Sequence, residues 1–155
     1  MDQLDARILL ALDDDPDASV LALSRRLGIA RNTLTARLTR MQDAAVLGPF
    51  SRRVEPAALG LGLTAFISVE LSQEAGEDAT AALREVPEVI EMHAITGGAD
   101  LLLKVVAGNT ADLHRLNGRL LAIPAVRRTS TAISLAEEMP LRLRGLLARA
   151  AEGRG

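Results

Sequence analysis

Seven arginines fall between residues 24 and 53: Arg25, Arg26, Arg31, Arg37, Arg40, Arg52 and Arg53, against a single acid, Asp43. Lys104 is the only lysine in the chain, so any contact to phosphate is made by arginine, whose planar fork matches phosphate oxygens in pairs. The whole chain carries a net charge of only −2, and the segment 61–140 is acidic. A local basic patch on such a chain implies an anionic partner at one end; a solvated arginine-rich face is the other reading. Interleaved with the arginines are Asn32, Thr33, Thr35 and Ala36. Asn pairs with adenine edges, and Thr or Ala meets a thymine methyl. The two histidines, His93 and His114, do not sit at the spacing of a metal pair, and no cysteine exists to supply a thiolate or a nucleophile. No nucleophile elbow, phosphate loop or dinucleotide fingerprint is present. Gly60-Leu61-Gly62 lacks both the preceding strand and the third glycine. We therefore expect no catalytic residues, no metal and no cofactor.

Three short helices must position the arginines. Leu4, Ile8, Ala11 and Leu12 make one apolar stripe, with Asp2 as its N-cap and Asp5 in the first turn. The run Asp13-Asp14-Asp15-Pro16-Asp17 ends it. Ser19 caps a second helix through Val20, Leu23 and Leu27, which Gly28 stops. A third stripe starts almost at once, at Leu34, Leu38 and Met41. Two helices joined by so short a glycine-led turn read as a helix-turn-helix, a motif that lays its second helix in the DNA major groove. A wheel on that helix turns Asn32, Ala36, Thr39 and Asp43 outward, with Thr33, Thr35 and Arg40 beside them and Arg31 and Arg37 at the rim. Asn32, Thr33 and Ala36 are placed for base edges; Arg25, Arg26, Arg37 and Arg40 are placed for phosphates. A plain three-helix bundle is the other reading. Ala30 stands where an N-cap side chain is expected, at a cost of about 1 kcal/mol, which a bound phosphate would offset. Gly48-Pro49 is expected to break the third helix. Phe50–Val54 then reads as a short strand, either a wing that brings Arg52 and Arg53 to the DNA backbone or a linker with solvated arginines.

From Thr64 the pattern changes to period two. Ile67, Val69 and Leu71 share one face; Phe66, Ser68, Glu70 and Ser72 share the other. A helix through Ala79, Leu83 and Val86 follows, then strands from Val89 to Thr96 and from Asp100 to Ala107 around Gly97-Gly98. Asn109 caps a second helix through Leu113, Leu116, Leu120 and Leu121, and a last strand runs from Val126 to Leu135. The order βαββαβ is the ferredoxin-like arrangement. Val86-Pro87-Glu88-Val89 and Ile123-Pro124-Ala125-Val126 echo each other at the ends of the two helices. The strand from Asp100 is apolar on both faces. One layer of helices covers only one of them, so the second is expected to pack on another subunit. A two-fold dimer also suits a motif that reads paired half-sites.

The class is thus α+β, an N-terminal winged helix-turn-helix followed by a C-terminal ferredoxin-like domain. The expected organisation is 1–50 for DNA binding, 51–63 as a linker strand or hinge, 64–138 for the ferredoxin-like unit and 139–155 as a C-terminal helix and tail. At 155 residues and 48% hydrophobic the chain is too apolar for disorder. Its acidic start, Met1-Asp2-Gln3-Leu4-Asp5, has no signal-peptide character. The longest uncharged run, Ala57 to Val69, is shorter than the roughly 18 residues of a membrane span. A cytoplasmic protein with no membrane partner is expected.

These residues resemble the Lrp/AsnC, or feast/famine, family of transcriptional regulators. Leu4-Asp5-Ala6-Arg7-Ile8-Leu9 is similar to the family's opening, Leu23-Ser24-Arg25-Arg26-Leu27-Gly28-Ile29 to its L-S-x-x-V/L-G-L/I-S segment, and Arg37-Leu38-Thr39-Arg40-Met41 to R-V/I-x-R-L. Val46-Leu47-Gly48 resembles the G-x-I that closes the domain. Thr96-Gly97-Gly98-Ala99-Asp100-Leu101-Leu102-Leu103 resembles the G-x-Y/F-D-Y-L-L turn. Val126 to Thr131 and Glu137-Glu138 resemble the last strand and its acidic end. The match spans about residues 2 to 139. It implies a regulator of transcription that binds double-stranded DNA, forms homodimers that often associate to octamers, and binds an amino acid between subunits. The implied effector residues are Gly97, Gly98, Ala99 and Asp100 in the turn and Thr131, Ala132, Ile133 and Ser134 on the last strand. Backbone N–H groups of a Gly-Gly turn suit a carboxylate, and Asp100 suits an α-ammonium; a hairpin turn stabilised by Asp100 is the other reading. Ala99 and Leu101 replace aromatics common in that turn, and Ala132 a larger residue, so any pocket has an altered shape. Siroheme decarboxylases resemble the same family, which leaves an enzyme reading that would rest on His93 with no tyrosine. A third reading is a partner that co-assembles without binding DNA.

Overall fold

The structure is a computed structural model that describes residues 1–72 and 76–153; Arg154 of the tail lies outside them. The chain divides into two compact units, Met1–Arg52 with Glu138–Gly155, and Arg53–Glu137.

In the first unit, α1 spans Gln3–Asp14, α2 Val20–Leu27 and α3 Arg31–Asp43. The caps are those the residue types dictate. Asp2 and Asp5 form a reciprocal capping box: the Asp5 N–H donates to Asp2 Oδ1 at 2.9 Å and the Asp2 N–H to Asp5 Oδ2 at 3.0 Å. Ser19 Oγ accepts from the Ala22 N–H, and Gly28 takes φ 68° to close α2. The three apolar stripes meet in one core of Ile8, Ala11, Leu23, Leu34 and Met41, flanked by Leu4, Leu12, Leu27 and Leu38.

Two expectations fail here. Gly48-Pro49 does not break α3, which ends at Asp43. Ala45 turns left-handed at φ 53°, the Val46 N–H reaches back to the Met41 carbonyl at 2.9 Å and the Ala45 N–H to that of Gln42 at 3.0 Å. This paired closure satisfies the last carbonyls without help from proline. Nor is Phe50–Val54 a strand. Proline at 49 fixes its own φ, which favours a tight turn; its carbonyl accepts the Arg52 N–H at 3.1 Å, and Phe50–Arg53 forms a 3-10 turn. A second 3-10 turn, Pro56–Leu59, occupies the expected linker.

The second unit contains β1 (Leu63–Leu71), α4 (Gly76–Arg84), β2 (Val89–Ala94), β3 (Leu101–Ala107), α5 (Thr110–Leu121) and β4 (Val126–Ile133). The sheet order is β2-β3-β1-β4, antiparallel throughout, which is the ferredoxin-like arrangement. The strands run shorter than the alternation suggests: β2 stops before Ile95, β3 begins after Asp100, and β4 stops before Ser134. The two helices cover one face. There Ala65, Ile67, Val69, Leu101, Leu103 and Val105 pack with Leu83, Leu113, Leu116 and Leu120. On the other face the register sets Phe66 between Lys104 and Ala132, and Ser68 between Leu102 and Ser130. Phe66 is 40% exposed there.

The sequence echo at the helix ends is two turns of one kind in different conformations. In both, the N–H of the closing valine bonds the carbonyl three residues back, Val89 to Val86 at 3.0 Å and Val126 to Ile123 at 3.1 Å. Ala125 takes φ 72° in the second, as position three of a type II turn requires. Ala45 and Ala125 thus hold conformations that cost an L residue energy. We expect Ala45→Gly and Ala125→Gly each to stabilise its own unit by about 0.5–1 kcal/mol, read as a rise in thermal midpoint; a fall at either site would mean that the alanine there is not strained.

The tail belongs to the first unit. Its helix α6, Arg144–Ala151, packs on α1.

Candidate nucleic-acid interface and ligand site

Of α3, Arg31, Asn32, Thr33, Thr35, Ala36, Thr39 and Arg40 are exposed, so the face that the wheel turns outward is open from the first residue of the helix. The turn from Gly28 to Ala30 directs the start of α3 away from the core formed by Leu34 and Met41. Ala30 is the N-cap, with no side-chain bond to the helix. Several amides at this end therefore lack an intrahelical partner and are available to an anion. Ala30→Ser is expected to stabilise α3 by about 1 kcal/mol in free protein. Because the serine competes for the same amides, the DNA-bound form should gain less. Equal gains in both would argue against phosphate at this end.

The arginines separate into two groups. Among the described residues Arg25 and Arg31 are exposed and form no ion pair. Arg26, Arg37 and Arg40 have acidic partners, while Arg52 is exposed with no ion pair among the described residues. Arg37 Nη1 donates to Asp2 Oδ1 and Oδ2 at 2.7 and 2.6 Å and to Asp5 Oδ1 at 2.7 Å. Arg40 Nη2 donates to Asp5 Oδ1 and Oδ2 at 2.9 and 2.7 Å. Asp5 is closed off, with 2% of its side chain exposed, against 23% for Arg37 and 59% for Arg40. Arg37, expected at phosphate, is thus bound to α1, and Arg40 shares that carboxylate while its side chain remains reachable. Arg26 pairs with Asp14. Arg52 lies over Gly48, and Arg53 is exposed. The Arg37 guanidinium holds the Asp2 carboxyl down to about 2, from 3.8. Burial pushes Asp5 upward, but the Asp2 N–H and Arg37 outweigh it, and Asp5 too lies below the ordinary range. Sequence reasoning gives Asp2 and Asp5 only a capping role; an acid stacked against an arginine-rich helix is the signal that could have revealed the second.

The candidate effector residues do not converge within one chain. Gly97 to Asp100 close the β2–β3 hairpin beside the Leu71 end of β1: the Asp100 N–H donates to the Val69 carbonyl at 3.0 Å, and Asp100 Oδ2 accepts the Leu71 N–H at 2.7 Å. One carboxylate oxygen of Asp100 therefore holds the Leu71 end of β1, next to the register shift at Glu70/Leu71. Thr131, Ala132 and Ile133 pair with Ile67, Phe66 and Ala65, and the Ser134 N–H bonds the Thr64 carbonyl at 2.9 Å. They run from the middle of β1 at Ile67 toward its Leu63 end. From Val69 to Ala65 is about 13 Å along the strand, and β1 stands between the two groups. No sequence signal short of the strand register reveals this.

A basic, outward-facing helix on a three-helix unit, followed by a ferredoxin-like unit, defines a DNA-binding regulator with a separate small-molecule domain. The family models agree with both halves: winged helix-turn-helix DNA-binding matches residues 1–44 and the Lrp/AsnC ligand binding domain matches residues 64–142. The chain belongs to the Lrp/AsnC family of transcriptional regulators. It is 40% identical over 118 residues to the HTH-type transcriptional regulator AldR of Mycolicibacterium smegmatis, covering 74% of this chain and 69% of AldR. It is 36% identical over 137 residues to the proline dehydrogenase transcriptional activator of Rhizobium radiobacter, covering 86% and 88%. Among solved structures, Escherichia coli AsnC superposes with a TM-score of 0.81 at 26% identity, over 93% of this chain and 98% of AsnC. A transcriptional regulator from Neisseria meningitidis, solved as its L-Met complex, does so at 0.80 and 28%, over 94% and 99%. No helix among the described residues is long and apolar enough to cross a membrane.

Proposed function

We propose that this regulator reads operator DNA with the exposed start of α3 and responds to an amino acid bound between subunits of its sheet domain. The observation that carries the first half is the open face of α3 beginning at Arg31. Asn32, Thr33, Thr35 and Ala36 face base edges; Arg25 and Arg31 take backbone phosphate, with Arg26, Arg40, Arg52 and Arg53 at the margin. Arg37 acts from behind, holding the helix to α1.

The second half rests on the separation of the two effector groups in one chain. A site that uses both the Gly97–Asp100 turn and the Thr131–Ser134 strand needs the second group from a neighbouring subunit. The family membership and the L-Met complex of the Neisseria relative support an amino acid as the ligand class. The uncovered sheet face around Phe66, Ser68 and Leu102 supports a homodimer, and octamers follow from the family's habit of assembly. The chain works in the cytoplasm, without catalysis. Ligand binding favours one arrangement of subunits and so shifts the population of paired helix-turn-helix units able to engage the operator.

The test is binding of purified protein to DNA upstream of its own coding sequence, against scrambled DNA, across a salt series and with an amino-acid panel. Specific binding with a steep negative slope supports the DNA reading. No binding at low salt overturns it. A panel that alters neither thermal midpoint nor assembly mass overturns the effector reading.

A further inference from the structure

The last turn of α1 carries Asp13 and Asp14 and no base, with Asp15 and Asp17 just beyond. A helix C-terminus is the wrong end for acids, because the backbone dipole is already negative there. Two arginines from elsewhere answer it. Arg26, at the end of α2, takes one oxygen of Asp14. Arg144, at the start of α6, takes the other at 2.7 Å and reaches Asp13 Oδ2 at 2.8 Å. At the far end of α6, Gly153 lies against the side chain of Gln3. The two helices therefore run antiparallel along the full length of α6. Leu147, Ala148 and Ala151, at i+3, i+4 and i+7 from Arg144, are half-buried, as is Ala150 beside them. The chain reaches this position from β4, which belongs to the other unit, through only residues 134–143. That segment is unusually apolar for its exposure, with Leu135 98% exposed.

We propose that α6 is a strap on the DNA-binding unit, latched by Arg144, and that its docking raises DNA affinity. With Arg144 in place, Asp13 and Asp14 are neutralised and Asp14 holds Arg26 with only part of its charge. With the strap released, both acids fall to Arg26 alone. That guanidinium is then drawn from phosphate, and one net negative charge is left uncompensated at the end of α1. Because the strap continues from β4, whose end carries Thr131 to Ser134, a change in the sheet unit has a short covalent route to α1. This inference rests on the DNA-binding reading.

Two variants of the full chain test it. Arg144→Gln removes the latch. Leu147→Pro breaks α6 without changing any charge, so it separates docking from general electrostatics. Hydrogen exchange of residues 3–14 and 144–151 reads docking, and affinity for the upstream DNA reads the consequence. Both variants are expected to raise exchange in the two helices and to weaken DNA binding about threefold to tenfold at low salt, where such charges are least screened. The assembly mass should stay as in the parent chain. Faster exchange with affinity unchanged within twofold would overturn the proposal, as would exchange in α6 of the parent chain at the rate of an unfolded peptide. If the parent chain binds no DNA, the regulator reading falls and takes this inference with it; if the parent binds and the variants bind equally well, the inference falls alone.

Discussion

Asp5→Ala is expected to lower the thermal midpoint of the helix-turn-helix unit by more than about 10 °C, from a loss of about 3 kcal/mol. Three effects act together. The substitution removes one half of the capping box of α1, worth about 1 kcal/mol. It removes charge-assisted bonds to Arg37 and Arg40 from a site with almost no solvent. It also leaves Arg37 half-partnered, with Asp2 alone. The loss stays below the roughly 3–5 kcal/mol of a fully buried broken pair, because Arg40 is exposed enough to turn to water. Asp5→Asn, which keeps the shape and an acceptor oxygen, should lose less. Acid supplies a second readout. Asp2 and Asp5 have folded pKa values below their unfolded ones. Their contribution is therefore complete above about pH 4 and disappears as the pH falls through the folded values, near 2 for Asp2. The parent unit should lose stability across that window and Asp5→Ala should show a shallower loss. A midpoint within 2 °C of the parent, or an unchanged acid limb, would mean that the cluster does not hold α3.

The second large effect is on DNA. Arg25→Ala combined with Arg31→Ala is expected to weaken binding about tenfold per arginine. The log–log salt slope should become less negative by about 0.9 for each phosphate that is no longer neutralised. The fold should be nearly indifferent, within about 0.5 kcal/mol, since neither side chain has an ion-pair partner among the described residues. Arg37→Lys should do the reverse. A lysine cannot span Asp2 and Asp5 as the guanidinium does, so the thermal midpoint falls while the salt slope stays close to that of the parent. If the double variant keeps the parent slope, the free arginines do not meet phosphate. If Arg37→Lys changes the slope by as much as one phosphate is worth, the pairing with α1 opens in the complex.

Why these two arginine groups behave differently is not legible in the sequence. Residues 25 to 40 show only five arginines on two short successive helices, with nothing in their spacing to separate the paired from the unpaired. The difference lies with Asp2 and Asp5, more than thirty residues away from Arg37 and Arg40, which the packing of α1 against α3 brings within bonding distance. The same holds for Arg144 and Asp13, 131 residues apart. The expected wing strand at Phe50–Val54 fails for a local reason: the segment lies between two prolines, and the Pro49 carbonyl closes a tight turn with the Arg52 N–H.

What the sequence determined by itself is whatever depends on residues within a few positions. The capping aspartate and serine, the left-handed Gly28, the apolar stripes and the period-two strands place nine of the ten regular helices and strands among the described residues in order. With the motif resemblance they name the family. The tenth, α6, is legible as a helix, but not its place on α1. Tertiary structure alone decided which arginines lack an acidic partner, that Asp100 holds the Leu71 end of β1, and that the two groups of candidate effector residues meet different stretches of that strand. A cap or a stripe is set by bonds a few residues long. An ion pair or a strand register is set by where the folded path returns, and a charge acts strongly only over the few ångströms that this path allows.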